Sequence, residues 1–366
     1  MIRLMAAILL VAAMVRGLAW ALPGPDLMDF GSFFASGEAA AKGGNPYGIH
    51  PRTFHVVLPG FESWNPNLNP PVSLPAFQLF ALIDPHEGFR LWWAASFIGY
   101  AGGVLLLLRR YRRPMAALLA FGLAGFWDTL ALGQVYVPLV LAAIFAWLLL
   151  EKGRGIEAGL LIGLLVAVKP NFLVWPALLL LAGHHRPAVV AIAVAAVSSA
   201  VPVFLYGPEI YARWVEAVTA DANRAAFLTN ASLTGLGARL GSREAGLVAG
   251  AVLLAGLAWW AWRRRPDAMA ASALGLVGAL LASPIAWVHY TLFLLPVFFV
   301  LPASPLLVVS AALLVLPVPW VIELLDASAV AKATFGSVYA WAVILCLAAL
   351  LMRLLPHRNT KSGQMR

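Results

Sequence analysis

Charge is scarce in this sequence. Only 11% of its 366 residues are Asp, Glu, Lys or Arg, against 62% hydrophobic, and the mean hydropathy is +0.86. A soluble chain carries about 25% charge to cover its surface, so lipid is the solvent here. Cysteine is all but missing: Cys346 stands alone inside an apolar run. That excludes an intrachain disulfide, and no His/Cys metal constellation is present. The alternating apolar-polar segments of a membrane barrel are absent as well. At membrane depth every backbone polar group must be satisfied within a helix or a closed barrel, and long unbroken apolar runs leave only helices. Clear internal repeats and low-complexity linkers are lacking too, so residues 1–366 read as a single domain.

What charge there is lies unevenly. The balance is +9, from 25 basic and 16 acidic residues. In a chain this apolar, a basic excess reports membrane topology rather than nucleic acid. Residues 1–22 hold Arg3, an apolar stretch and Ala19-Trp20-Ala21, much as a signal peptide would. Arg16 interrupts the stretch, which reads as an uncleaved first helix. A helix crosses the hydrocarbon in about 20 residues. The apolar runs predict about twelve crossings: 3–22, 89–108, 114–127, 133–150, 155–169, 171–183, 187–206, 243–262, 266–285, 287–302, 304–322 and 335–355. Two short amphipathic pieces, 28–42 and 72–84, are expected in the interface. If 72–84 crossed, the cluster Arg109-Arg110-Tyr111-Arg112-Arg113 would face outward. The positive-inside rule puts it in the cytoplasm instead, with Lys152, Arg154, Arg186, Arg263-Arg264-Arg265 and the tail 356–366. Inside then hold 15 Lys/Arg and 3 acids, outside 9 and 13, with Arg16 inside a span near its outer end. Both termini are cytoplasmic in this reading. The expected fold is an all-α polytopic inner-membrane protein with long periplasmic loops at 23–88 and 207–242.

Polar chemistry collects at the outer helix ends. The first loop opens Pro25-Asp26-Leu27-Met28-Asp29-Phe30 and closes Gly43-Gly44-Asn45-Pro46-Tyr47. Asp29 is well placed to cap a short helix. Asp128 and Gln134 bracket a predicted hairpin between two spans. Lys169-Pro170-Asn171 breaks a run, and a lysine on the outer side calls for an anionic partner; snorkelling to headgroups is the simpler alternative. Ser283-Pro284-Ile285-Ala286-Trp287-Val288-His289-Tyr290 breaks another run, with an interfacial aromatic belt as its simpler reading. Asn230-Ala231-Ser232-Leu233 and Arg239 lie late in the second loop. One side of the membrane thus holds carboxylates, a lysine, an arginine, a histidine and several amides. A carboxylate accepts a proton from an attacking hydroxyl, and cations stabilise a departing phosphate.

These residues resemble glycosyltransferase family 87, polyprenyl-phosphate-sugar-dependent transferases of the GT-C class. The resemblance rests on Asp29-Phe30 with Phe34-Ala35, Gly44-Asn45-Pro46-Tyr47, Asn69-Pro70-Pro71 and Gly133-Gln134. It continues through Ala158-Gly159-Leu160-Leu161-Ile162-Gly163 with Lys169-Pro170, Asn230-Ala231-Ser232-Leu233, and Ser283-Pro284…Trp287-Val288-His289. It spans about residues 25–300. It implies a long first periplasmic loop with two membrane-parallel helices and a catalytic acid at its start. By that likeness Asp29 is the general base, with Asp26 near enough to compete, and His289 joins it at the reacting centre. Lys169 and Arg239 are expected phosphate contacts, and Asn45, Tyr47, Gln134, Asn171, Asn230 and Trp287 the remaining substrate contacts. Ala286, Tyr290 and Ala231 depart from the pattern, which leaves the acceptor open. The implied activity is inverting transfer of a hexose, mannose first, from a polyprenyl-phosphate sugar to a lipid or glycan acceptor. No tight ligand cluster calls for a metal, although Asp26 and Asp29 are able to share a divalent ion. The alternative is a transporter or flippase of a lipid-linked sugar, but such sites sit at the midplane of internal repeats.

Overall fold

The computed structural model describes residues 2–354; the tail 356–366 lies outside them. The chain is predominantly helical. Five helical stretches are long and apolar enough to cross a bilayer: Leu4–Ala21, Pro85–Tyr111, His185–Tyr206, Arg243–Arg264 and Ala329–Leu354. Two bent pairs qualify when each is taken together. Pro114–Gly122 turns 43° into Ala124–Leu132, and Pro305–Leu314 turns 84° into Val318–Asp326. Shorter apolar helices occupy Tyr136–Glu151, Gly155–Val168, Pro170–Leu181, Ala268–Leu281 and Val288–Val300. Each of the twelve predicted crossings falls on one of these segments, but among the described residues only five to seven meet the length of a span. A 14-residue helix is about 21 Å long, short of the roughly 30 Å hydrocarbon core.

The ends of these helices follow local chemistry. Asp84 accepts from the backbone of His86 and Glu87 and starts Pro85–Tyr111. Ser242 and Asp267 do the same for Arg243–Arg264 and Ala268–Leu281. Small residues set the packing. Gly159 and Gly163 lie against the backbone of His185–Tyr206. A Cβ on either would stand 2.7 Å from Pro187 O or 2.6 Å from Ala191 O. Only glycine permits so close a crossing, which in lipid is what van der Waals attraction between helices needs. Ala268–Leu281 is buried at every position from Ala271 to Leu281 and forms the centre of the bundle.

The first loop is more structured than expected. Met28–Ala41 is a helix, close to the predicted 28–42. The piece predicted at 72–84 is shorter: a 3₁₀ turn at Pro71–Ser73 and a helix at Leu74–Phe80. The two helices touch so closely that a Cβ on Gly37 would overlap the backbone of Phe77. Between them lies an antiparallel hairpin, Phe54–Leu58 with Phe61–Asn65, so the protein is not purely α. The turn is Pro59-Gly60, with Gly60 left-handed at φ +73°, a signal present in the sequence. Ser32 pins the open end of the hairpin: its hydroxyl donates to Asn65 O and accepts from Phe54 N.

Candidate active site

Asp29 does not cap its helix. Leu27 holds the cap position without a side-chain bond, and Asp29 sits one residue into the first turn. Met28 before it has φ +50°, a left-handed conformation that costs a non-glycine residue about 1 kcal/mol. The turn aims Asp29 inward, where it is 3% exposed. Its two oxygens each accept one amide: Asn65 Nδ2 on Oδ1 and Gln134 Nε2 on Oδ2. Asn65 comes from the hairpin that Ser32 holds in place. Gln134 follows Gly133, which ends Ala124–Leu132 at φ +66°. A Cβ on Gly133 would fall 2.7 Å from Phe30 and 2.8 Å from Phe89, so glycine both makes this turn and clears it. Asp29 lies outside the apolar spans, and burial pushes its carboxyl up to about 6, against the lowering influence of His289 and the two amides. Asp26, its rival, is exposed.

Asp128 is not in a hairpin, as expected from the sequence, but inside Ala124–Leu132. Its Oδ2 stands 2.9 Å from His289 Nδ1, both side chains buried. The contact is short but poorly aligned for a hydrogen bond, and Nδ1 has no other partner. Gly125, one turn earlier, allows the approach: a Cβ there would come within 2.5 Å of Val288 O. His289 opens no regular helix; the chain from Val288 to Leu294 is 3₁₀. Its ring lies 4.9 Å from that of Tyr136, two residues past Gln134.

Lys169 leaves the end of Gly155–Val168 because Pro170 follows it, which forces residue 169 out of helical geometry; its φ and ψ are −135° and 85°. The sequence led us to expect an anionic partner. Among the described residues no carboxylate stands within 4.0 Å of its ammonium, although Asp29 is near enough to act on it electrostatically. Nζ donates to Asn69 Oδ1 at 2.8 Å and lies 4.6 Å above the Tyr136 ring and 5.4 Å from that of Tyr290. Asn69 is itself fixed by Asn67, and Asn67 by Ser36 of the Met28–Ala41 helix. Tyr47 reaches the same strand of chain by donating to Asn69 O.

Gln134 therefore bonds Asp29 directly, His289 and Lys169 lie near enough to act on it electrostatically, and Tyr47 joins them through Asn69. The other predicted contacts lie elsewhere. Arg239 is buried and donates to Ser337 Oγ, Phe227 O and Asn230 O, using three of its five N–H groups. Asn230 donates to Ala225 O and Pro284 O and accepts from Ser232 N and Ala286 N. Asn171 makes one long bond, 3.4 Å, to Ala279 O. Asn45 is exposed and closes a turn on Tyr47 N. Trp287 is half-buried with its ring edge-on to Phe227. The sequence reading missed Asn65, Tyr136 and the pairing of Asp128 with His289. Asn65 had a local signal in the Pro59-Gly60 turn that sets the hairpin; the other two depend on packing between distant helices. Among the described residues, no three His, Cys, Asp or Glu stand together as metal ligands.

A cluster of a buried carboxylate, a buried ammonium and a histidine, braced by amides inside a polytopic bundle, suits group transfer. The family pattern of glycosyltransferase family 87 matches residues 67–284. That is more than half of the chain, and the protein belongs to glycosyltransferase family 87: it is a membrane-embedded glycosyltransferase. The match takes in Asn69, Gln134 and Lys169, while Asp29 precedes it and His289 follows it. No curated protein and no solved structure matches the chain.

Proposed function

We propose that the protein transfers a hexose, mannose first among the candidates, from a polyprenyl-phosphate donor to a hydroxyl of a lipid or glycan acceptor, with inversion at the anomeric carbon. The observation that carries this reading is one pair of groups. Asp29 and Lys169 are both buried in one cluster, and among the described residues neither makes an ion pair. The acceptor hydroxyl gives its proton to Asp29 while its oxygen attacks the anomeric carbon. The bond from that carbon to the phosphate oxygen breaks on the opposite face, and the electron pair leaves with the polyprenyl phosphate. Lys169 meets the charge that grows on the phosphate. His289 borders the reacting centre and orients donor or acceptor. Asn45 and Asn171 retain amide capacity for sugar hydroxyls, whereas Arg239 and Asn230 brace the second loop.

In this reading all twelve apolar segments cross the bilayer, the shorter and bent ones relying on neighbouring helices to satisfy their broken backbone. The helices Met28–Ala41 and Leu74–Phe80 lie in the interface. Arginine clusters face the cytoplasm, so the cluster around Asp29 faces the periplasm of an inner membrane. Sugar transfer from a panel of labelled polyprenyl-phosphate sugars in reconstituted membranes is the test. Wild-type protein is expected to turn over one of them and Asp29→Asn to turn over none while staying folded. Full turnover by Asp29→Asn would remove Asp29 from the base role. Movement of a lipid-linked sugar without transfer would replace the reading with a flippase.

A further inference from the structure

Arg16 takes no part in the cluster described above. It sits in the first span, five residues before the helix ends at Ala21, so about 7–8 Å along the axis from that end. That end is the one nearest the site: Ala21 O accepts from Trp93 Nε1, and the next helix begins with Met28 and Asp29. An arginine at such depth is costly in hydrocarbon and needs a counter-charge or an aqueous path. Among the described residues no carboxylate pairs with it. Its guanidinium instead lies over Trp320, 4.3 Å from the ring centroid, a contact that backs the cation without neutralising it. The side chain is exposed on the flank of the bundle, where lipid lies.

Beside it opens a narrow, shallow crevice between the first span and the two bent pairs. Ala13, Gly17, Gly122, Val315 and Pro317 line it with Arg16. The wall is apolar and the mouth cationic. The crevice exists because its helices break there: Leu123 is extended between two helices, and the chain bends 84° between Pro305–Leu314 and Val318–Asp326. We propose that this crevice binds a lipid phosphate, with the guanidinium of Arg16 on the phosphate and part of the hydrocarbon chain in the crevice. Arg16 then meets its counter-charge at the headgroup level, with the Trp320 ring behind the guanidinium. The phosphate belongs either to a bulk phospholipid of that leaflet or to a polyprenyl phosphate. The crevice shares no lining residue with the transfer cluster; Trp127, next to Asp128 in sequence, comes nearest to it along the chain.

The experiment is native mass spectrometry of the full chain with dioleoyl phosphatidylglycerol, alone and in competition with a long-chain polyprenyl monophosphate. Wild type is expected to retain one tightly held lipid. Arg16→Gln is expected to weaken retention by about tenfold or more, as loss of a charge-assisted pair does, and Ala13→Phe to weaken it by filling the crevice. Displacement of phosphatidylglycerol by an equal concentration of polyprenyl monophosphate assigns the site to the polyprenyl lipid; retention assigns it to bulk phospholipid. Wild-type retention by Arg16→Gln overturns the proposal, whatever Ala13→Phe does. If Arg16→Gln does not fold, Trp320→Leu takes its place, with an expected loss of about threefold and the same overturning result. Asp29→Asn should hold the lipid like wild type, so failure of the transfer reading leaves this test standing.

Discussion

Two buried polar regions look alike in the sequence and differ in the structure. One surrounds Arg239 and Asn230, the other Asp29 and Lys169. Around Arg239, two carbonyls and a serine hydroxyl give each of the three guanidinium nitrogens a partner, and Asn230 ties the second loop to the turn before Trp287. This network closes on itself. Around Lys169 the ammonium has one amide oxygen and two aromatic faces, and His289 has a carboxylate it does not align with. That network stays open. A buried polar group left short of partners costs stability, so the open region is held for something other than the fold. A ligand that brings a phosphate and hydroxyls supplies what it lacks.

Substitutions are able to break this contrast. The largest effect is expected from Asp29→Asn, which should lower transfer by about 10³-fold, within the range for losing a positioned base, as read by product formed from the preferred donor. Arg239→Met comes next, and should act on the fold alone. Removing one partner of a closed buried network should lower stability by about 3 kcal/mol, measured by thermal unfolding in detergent, with an unchanged donor KM in the protein that folds. A raised KM would place Arg239 in the site. Lys169→Ala should do the reverse: donor KM up by about thirtyfold, for an ionic hydrogen bond of about 2 kcal/mol, with little change in melting.

The smallest effect separates the ionisation of Asp29 from that of its neighbours. The base must be a carboxylate to take a proton, and burial has pushed it up to about 6. Transfer should therefore fall about tenfold per pH unit below that value and level off above it. The stability sign runs the other way. The folded carboxyl holds its proton more tightly than the unfolded one, near 4, so between about 4 and about 6 the fold loses stability as pH rises. Asp29→Asn should therefore melt higher than wild type at neutral pH. A lower melting temperature would mean that Asn65 and Gln134 bind the ionised form strongly enough to outweigh its burial.

The sequence disclosed the kinds of residue and the helix ends that carry several of them. Lys169-Pro170 and Gly133-Gln134 were legible because proline and glycine end helices by their own backbone limits, so the side chain next to them leaves the bundle wall. Asp29 was legible from the aromatic pattern that follows it, though its cap role did not survive: the helix starts at the left-handed Met28, two residues earlier than an Asp29 cap would start it. Asp128 was misread as a turn residue, because one-dimensional apolarity does not reveal the break at Leu123. Arg239 and Asn230 are of the same chemical types as the true members of the cluster. Only their partners, from residues up to 98 positions away, set the two groups apart.

The two amides on Asp29 also fix an order of events. Asn65 follows it by 36 residues and Gln134 by 105, and Lys169 and His289 come later still. At about 5–20 residues per second, a growing chain presents Asp29 some seconds before its second brace exists and longer before the lysine is made. In the proposed topology Asp29 is thus among the first polar side chains to cross the membrane and among the last to be completed, so a chain stalled after its second span carries Asp29 with one brace and no cation.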